Sequence, residues 1–237
     1  MKGSDREAST FLIIDGTLLV NTNYGIAIIE NDRIVDLIDE NAITLYNSKI
    51  FKDRIYVGTN YGYTVIQKEK NNKFSIKYSK DLFNVVTDFV EDSNGGLWIE
   101  GLFRGLYHVT GNLDELNKGS DNNITYNYLT LNNGLPSLPL GIYNIQDYVF
   151  LSTEKGMFKF SNELKSFVRD STFGNIFYDS TATISLVEKS IENGFWVIRD
   201  SSGQQDFGKA TLKPDGKWTC PLAPESDQSG PPQWRAD

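Results

Sequence analysis

The stretch Asp92-Ser-Asn-Gly-Gly-Leu-Trp-Ile-Glu-Gly-Leu-Phe-Arg-Gly-Leu-Tyr107 decides how this chain folds. It contains a polar, glycine-rich turn, a short apolar run around Trp98, and a glycine that precedes a second apolar run. Four other segments repeat this order, and they begin at Asp15, Asp53, Gln146 and Glu192. A repeat of this kind determines the whole architecture, because each copy is one structural unit.

The spacing of the repeats indicates the size of that unit. The bulky position recurs at intervals of 37, 42, 52 and 46 residues, at Leu19, Tyr56, Trp98, Phe150 and Trp196. A unit of roughly 40–50 residues is typical of one four-stranded propeller blade. The segments lack the 3.6-residue apolar spacing of helical repeats. The sequence therefore predicts an all-β chain, a β-propeller of about five four-stranded blades, which is either complete or a fragment of a larger propeller.

The repeats also predict the organisation of the chain. A lead is expected at residues 1–10, and the propeller repeats at 11–220. The predicted blades cover about 11–40, 41–80, 83–130, 138–170 and 180–220. An irregular insertion in the third blade explains the longest interval. Residues 221–237 are rich in proline and serine and lack a strand pattern, so a flexible tail is expected there.

Two positions of the repeat are expected to serve packing rather than chemistry. The bulky residue should fill the space between adjacent blades, since a large ring buries much apolar area. The glycines at 25, 62, 105 and 156 should provide a positive φ or a close approach between blades. The small residues Gly58 and Ser152 fit the same crowded packing.

Composition excludes several classes of function. A net charge of −8 without a basic cluster argues against nucleic acid as a partner. One cysteine and one histidine exclude an intramolecular disulfide and argue against a zinc site or a catalytic triad. No metal and no cofactor are therefore predicted. The histidine, His108, is interpreted as a half-exposed polar residue of a strand, and Asp92 and Asn94 as parts of a hairpin turn rather than a calcium loop.

Targeting signals are absent from the sequence. No apolar stretch reaches 18 residues, so no membrane span is predicted. The N-terminus lacks the apolar core of a signal peptide. This leaves two interpretations, a cytoplasmic protein or a chain from which a targeting segment has been removed.

The third and fourth repeats resemble a known family. The order Asp92-x-x-Gly95-x-Leu97-Trp98, followed by Gly105-Leu-Tyr, is similar to the repeat of two-component regulator propellers, and Asn133-Gly-Leu-Pro resembles the other half of that repeat. Glu100 and Gly101 depart from the usual Gly-Thr pair. The resemblance implies a periplasmic sensor region of a bacterial, Bacteroidetes-type hybrid two-component system. It also implies carbohydrate sensing and a downstream histidine kinase as partner.

Candidate ligand-binding residues occupy equivalent loops between the second and third strands of the repeats. They are Tyr24, Tyr61, Phe103, Arg104 and Lys155. The aromatic rings could stack on a small-molecule or oligosaccharide ligand while the cations donate hydrogen bonds. The alternative is that these rings pack onto neighbouring blades and have no ligand.

The function expected from these features is sensory or ligand-binding, without catalysis. A glycoside hydrolase or lyase is the main alternative, since such enzymes need two opposed carboxylates and Asp88, Glu100 and Glu188 lie in predicted strands. A protein-interaction scaffold is a further alternative. An arc of blades that does not close into a ring would expose apolar blade faces, which either missing blades or a second copy, in a homodimer, would complete.

Overall fold

The computed structural model describes residues 10–22, 24–38, 41–70, 73–102, 105–171, 173–174, 177, 183–190, 194–201, 204–215 and 217–224. The chain divides into two compact units, Met1–Leu129 and Thr130–Asp237. In both units the strands of each sheet follow one another in chain order, which is the arrangement of propeller blades. Within the described residues, no helix has the length and apolar character needed to cross a membrane.

The first unit contains three antiparallel four-stranded sheets. The first sheet consists of β1 (Phe11–Ile14), β2 (Thr17–Thr22), β3 (Gly25–Glu30) and β4 (Arg33–Ile38). The second consists of β5 (Ala42–Asn47), β6 (Arg54–Thr59), β7 (Gly62–Lys68) and β8 (Phe74–Asp81). The third consists of β9 (Val86–Glu91), β10 (Leu97–Gly101), β11 (Gly105–Gly111) and β12 (Ile124–Leu129).

The second unit contains two antiparallel sheets. The fourth sheet consists of β13 (Pro139–Ile145), β14 (Tyr148–Thr153), β15 (Gly156–Ser161) and β16 (Ser166–Arg169). The fifth consists of β17 (Thr183–Ser190), β18 (Gly194–Ser201), β19 (Gln204–Leu212), β20 (Trp218–Thr219) and β21 (Leu222–Pro224). Five sheets of this kind confirm the predicted β-propeller class.

The start of the predicted tail differs from the expectation. β21 lies within residues 221–237 and pairs antiparallel with β19, from Leu222 opposite Gly208 to Pro224 opposite Asp206. Backbone hydrogen bonding to an available strand edge overrides the weak strand pattern of this segment. Residues 225–237, the rest of the predicted tail, lie outside the described residues.

A threonine sets the tight turn between the second and third strands of three repeats. The Thr22 and Thr153 hydroxyls donate to the carbonyls of Gly25 and Gly156, each at 2.8 Å. The same hydroxyl oxygens accept the amides of Tyr24 and Lys155. In the second repeat the Thr59 hydroxyl accepts the amides of Tyr61 and Gly62, so a threonine side chain orders the Thr-x-x-Gly turn in all three repeats.

The bulky position is buried in four of the five repeats. Leu19, Tyr56 and Trp98 have no exposed surface, and Phe150 has almost none. The expectation is wrong for Trp196, which is partly exposed, because its neighbour Val197 takes the buried position. Adjacent residues of a strand face opposite sides of the sheet, so the shift by one residue turns Trp196 outward.

The sheets of the first unit pack through two different junctions. Between the first and second sheets the contacts are almost entirely aliphatic, with Leu19, Ile26 and Ile55 fully buried. Between the second and third sheets the contacts are aromatic, and Phe89 stacks on Tyr56 with ring centroids 5.7 Å apart. The predicted crowding at Gly58 is confirmed, because a Cβ there would lie 2.6 Å from the carbonyl oxygen of Val86.

The insertion of the third blade contains a short 3-10 helix, η1 (Leu113–Lys118), between β11 and β12. Leu113 and Leu116 are buried in the core between the second and third sheets. The fully buried Arg54 of β6 donates from Nε to Asn117 Oδ1 at 3.0 Å and from Nη1 to the Tyr56 hydroxyl at 3.1 Å. The insertion is therefore an ordered tether that links the third blade to the second.

Candidate functional site

Two of the predicted aromatic residues stand exposed on equivalent turns of the first unit. Tyr24 follows β2, and Tyr61, with 72% of its surface exposed, follows β6. The Thr59 hydroxyl accepts the amides of Tyr61 and Gly62 at 3.3 and 3.1 Å, so the turn that carries the Tyr61 ring is held in place. Both rings are therefore largely exposed to solvent on ordered turns.

The other predicted site residues are Lys155, Phe103 and Arg104. Lys155 is exposed on the corresponding turn of the fourth sheet, in the second unit. Phe103 and Arg104 lie outside the described residues. The structure therefore describes the positions of three of the five predicted residues, Tyr24, Tyr61 and Lys155.

The structure adds Phe83, which the sequence did not indicate. Phe83 lies in the loop between β8 and β9 and has 87% of its surface exposed. The φ angle of Phe83 is 53°, in the left-handed region. The other described non-glycine residues with a positive φ are Asp, Asn, Gln or Lys. A left-handed conformation costs a residue with a bulky side chain roughly 1–2 kcal/mol. Backbone strain at an exposed aromatic residue is a mark of functional sites.

The loop that carries Phe83 is fixed from several sides. The Tyr61 carbonyl accepts the amides of Leu82 at 2.8 Å and Asn84 at 3.4 Å, which joins this loop to the turn of Tyr61. The Leu82 side chain is buried, and its carbonyl accepts the Tyr107 hydroxyl at 3.0 Å. The Phe83 amide donates to Asp81 Oδ1 at 2.8 Å. The strained conformation is therefore held by its surroundings.

The third sheet continues the same edge. The Leu102 amide donates to the Val85 carbonyl at 2.8 Å, and the Leu102 side chain is exposed. Gly101 leaves room for the buried Asn84, because a Cβ at Gly101 would lie 2.2 Å from the Asn84 amide nitrogen. We name the surface formed by Tyr61, Phe83 and Leu102, with the Asp81 carboxylate beside it, the aromatic edge.

The aromatic edge has the chemistry of a stacking surface. Tyr61 and Phe83 present rigid rings on backbone segments that are hydrogen-bonded to each other. Asp81 is exposed next to Phe83 and can accept hydrogen bonds from hydroxyl groups. Such a surface can hold a flat, partly apolar molecule that carries hydroxyl groups.

A pair of carboxylates lies on the face of the third sheet opposite to the face that packs against the second sheet. Asp88 of β9 and Glu100 of β10 stand directly opposite each other in the strand register. Burial raises the pKa of Asp88 to about 6, although the Phe89 amide donates to it. Burial, and then repulsion from Asp88, raises the pKa of Glu100 to about 7. The side chain of Glu188, the third candidate acid, lies outside the described side chains.

The turn at Asp92 is confirmed, and His108 lies against it in a hydrogen-bonded cluster. Asp92 Oδ1 accepts the amides of Asn94 and Gly96, and Oδ2 accepts the Trp98 indole at 2.9 Å. His108 lies 3.1 Å from Asp92 Oδ2 and stacks on the Trp98 ring at 3.8 Å. His108 is thus a partly exposed polar residue of strand β11, as expected, and it is also a member of this hydrogen-bonded cluster.

Each unit contains a cleft among its described residues. A cleft of 450 Å³ in the first unit is lined by charged residues, among them Asp15, Lys52 and Lys68. A cleft of 440 Å³ in the second unit is lined by Phe173, Lys213 and Trp218, among others. The cleft at Trp218 combines an aromatic ring with a cation and is a second place where a ring-shaped ligand could stack.

Comparisons with known proteins identify the fold. No family model matches the chain, and no curated protein matches it. A solved structure described as the extracellular domain of a hybrid two-component system from B. thetaiotaomicron is 16% identical, with a TM-score of 0.57, and covers 93% of this chain and 28% of its own. Virginiamycin B lyase from Staphylococcus aureus is 14% identical, with a TM-score of 0.54, and covers 89% of this chain and 68% of its own.

A third similar structure, YCF48 bound to D1 peptide, is 6% identical, with a TM-score of 0.58 over 93% of this chain and 68% of its own. The three proteins include an extracellular domain of a two-component system and a lyase, so the likeness establishes the fold and leaves the function open. This chain spans less than a third of the length of the two-component domain.

Proposed function

We propose that this propeller is a non-catalytic ligand-binding module whose ligand stacks on the aromatic edge. The observation that carries the proposal is the strained, highly exposed Phe83, held beside the exposed Tyr61 by hydrogen bonds between their loops. A rigid aromatic surface loses little conformational entropy on binding, which favours a specific ligand over a passive surface role.

The ligand class and the setting belong to the same proposal. Aromatic rings beside a hydrogen-bond acceptor suit an oligosaccharide, whose sugar rings offer apolar faces and hydroxyl rims. The family resemblance and the similar fold of an extracellular two-component domain support a sensory role outside the cytoplasm. A histidine kinase would then receive the signal through a rigid-body movement, since a propeller deforms little.

The proposal is tested by calorimetric titration with a panel of neutral and acidic oligosaccharides. Tyr61→Ala and Phe83→Ala should each weaken binding by about tenfold or more, as is typical when an aromatic anchor is truncated. Ile50→Ala is the matched control, because Ile50 is an exposed apolar residue on the turn between β5 and β6, at the other end of the second sheet. Undiminished binding by both aromatic variants contradicts the proposal. Binding lost only in Trp218→Ala relocates the site to the cleft of the second unit.

An enzyme is the second candidate, favoured by the opposed carboxylates Asp88 and Glu100. Two acids with raised pKa values on one face of a sheet could act as an acid and base pair in a glycoside hydrolase or lyase. The same oligosaccharide panel is therefore assayed for turnover. Cleavage that Asp88→Asn or Glu100→Gln abolishes would replace the binding proposal with this one, whereas binding without cleavage supports the first.

A further inference from the structure

The first sheet carries a second apolar face that its neighbour does not use. In the strand register, two rows of residues cross all four strands. The rows are Phe11, Val20, Ala27 and Leu37, and Ile13, Leu18, Ile29 and Ile34. All eight residues are apolar, and we name this surface the far face.

The opposite face of the same sheet is the one that packs against the second sheet. Its residues include Ile14, Leu19, Ile26 and Ile28, all buried in the aliphatic core between the two sheets. An antiparallel sheet with one solvated face normally alternates apolar and polar residues. In the first sheet both faces are apolar, so the far face has the composition of a buried surface.

The far face is nevertheless open in this structure. The exposed fractions are 71% for Phe11, 63% for Ile13, 52% for Ile34 and 44% for Leu37. These residues lie on the two edge strands, β1 and β4, whereas Leu18, Val20 and Ile29 on the central strands are half-buried and Ala27 is buried. Contiguous apolar patches of more than a few hundred Å² are rare on monomers and mark interaction sites.

The size of the far face is compatible with self-association. Its four most exposed side chains and their half-buried neighbours offer on the order of 500 Å² per copy, so two copies would bury about 1,000 Å² in total, the lower limit for a specific interface. The face contains no ionisable residue. Two chains of net charge −8 can therefore meet here without placing like charges in contact.

We propose that two copies of this chain associate through the far face of the first sheet. A two-fold interface presents the same patch from both copies, so an apolar face meets an apolar face. The proposal is independent of the ligand, because the far face shares no residue with the aromatic edge.

The test is sedimentation velocity of the full chain over a wide concentration range. The wild-type chain should form dimers as the concentration rises, and Ile34→Arg should weaken this association by about tenfold or more. Ile76→Arg is the matched control, because Ile76 is a 46%-exposed aliphatic residue on β8, the outer strand of the second sheet. A wild-type chain that stays monomeric overturns the proposal, as does a dimer that Ile34→Arg leaves intact.

A second measurement keeps the proposal testable if the arginine variant fails to fold. Ile13→Cys is made in a Cys220→Ser background, which removes the only natural cysteine. Labelling of the new thiol by a maleimide should slow several-fold as the protein concentration rises. Labelling that is equally fast at low and high concentration shows that the far face stays open and contradicts the proposal.

Discussion

One face of the third sheet is packed with aromatic rings, and the opposite face carries ionisable side chains. On the face toward the second sheet, Phe89 packs against Tyr56 and Tyr63, with ring centroids 5.7 and 6.2 Å away. On the opposite face, Asp88 and Glu100 oppose each other, and His108 stacks on Trp98 within hydrogen-bonding distance of Asp92. Strand alternation alone separates these two sets, because neighbouring residues of a strand face opposite sides of the sheet.

The two faces of the third sheet therefore contribute to stability in different ways. The aromatic face joins the third sheet to the second and also includes Leu82, which anchors the loop of Phe83. The opposite face holds ionisable groups whose pKa values are shifted in both directions. Changes on the first face should therefore alter stability at every pH, whereas changes on the second should alter how stability depends on pH.

Phe89→Ala should produce the largest effect. Truncating a fully buried ring at the centre of the aromatic face leaves a cavity, and such changes cost about 3–5 kcal/mol. Chemical denaturation should show this loss equally at acid and neutral pH. A loss that varies strongly with pH would contradict the division between the two faces.

Asp92 should give the next largest effect, and only in acid. Burial alone would raise its pKa, but hydrogen bonds from His108, Gly96, Trp98 and Asn94 outweigh burial and lower the pKa to about 2. A lowered pKa stabilises the fold above the unfolded value of 3.8, and this contribution, about 2 kcal/mol, is lost as the pH falls from about 4 to about 2. Asp92→Asn should lack this component of acid unfolding in a pH series of denaturation curves.

Asp88 and Glu100 should act in the opposite direction and in a different pH window. Their pKa values are raised to about 6 and about 7, so the folded state holds these protons more tightly than the unfolded state. Stability should therefore decrease, by roughly 1–3 kcal/mol, as the pH rises from about 4 to about 7. In Asp88→Asn/Glu100→Gln the melting temperature should lose this trend between pH 5 and pH 8, while Phe89→Leu should keep it.

Phe83→Gly should give the smallest change in stability, and it should be favourable. Glycine adopts a φ of 53° without the strain that Phe83 bears, which should raise stability by up to about 1 kcal/mol. Ligand binding should nevertheless be lost, since the ring is gone. If Phe83→Gly is instead destabilised, the Phe83 ring serves packing. Thermal unfolding measures the change in stability, and calorimetry measures the loss of ligand binding.

Local sequence signals predicted much of the fold. The Thr-x-x-Gly segments formed turns because a hydroxyl and a glycine three residues apart suffice to close them. Tyr24 and Tyr61 were predicted on exposed turns for the same reason. The burial of Trp196 was predicted wrongly because the buried position of the last repeat lies one residue later, at Val197. Adjacent residues of a strand face opposite sides of the sheet, so Trp196 lies on the other face.

The features that sequence reasoning missed depend on residues far apart in the chain. Phe83 is held in its conformation by Tyr61 and Tyr107, which lie in other strands and loops. His108 owes its role to Asp92, 16 residues earlier, and to the Trp98 ring on the adjacent strand. A single sequence contains no signal for such pairings, because they arise only when the strand register is set.

The sequence by itself determined that this chain is a β-propeller, since repeat length, turn residues and apolar alternation are local properties that each blade expresses alone. Only the tertiary structure decided which apolar faces are covered and which side chains reach a common edge. The physical reason is that burial is a property of neighbouring sheets. Ile13 and Ile14 are adjacent and alike in sequence, yet the first stands exposed on the far face and the second is buried against the second sheet.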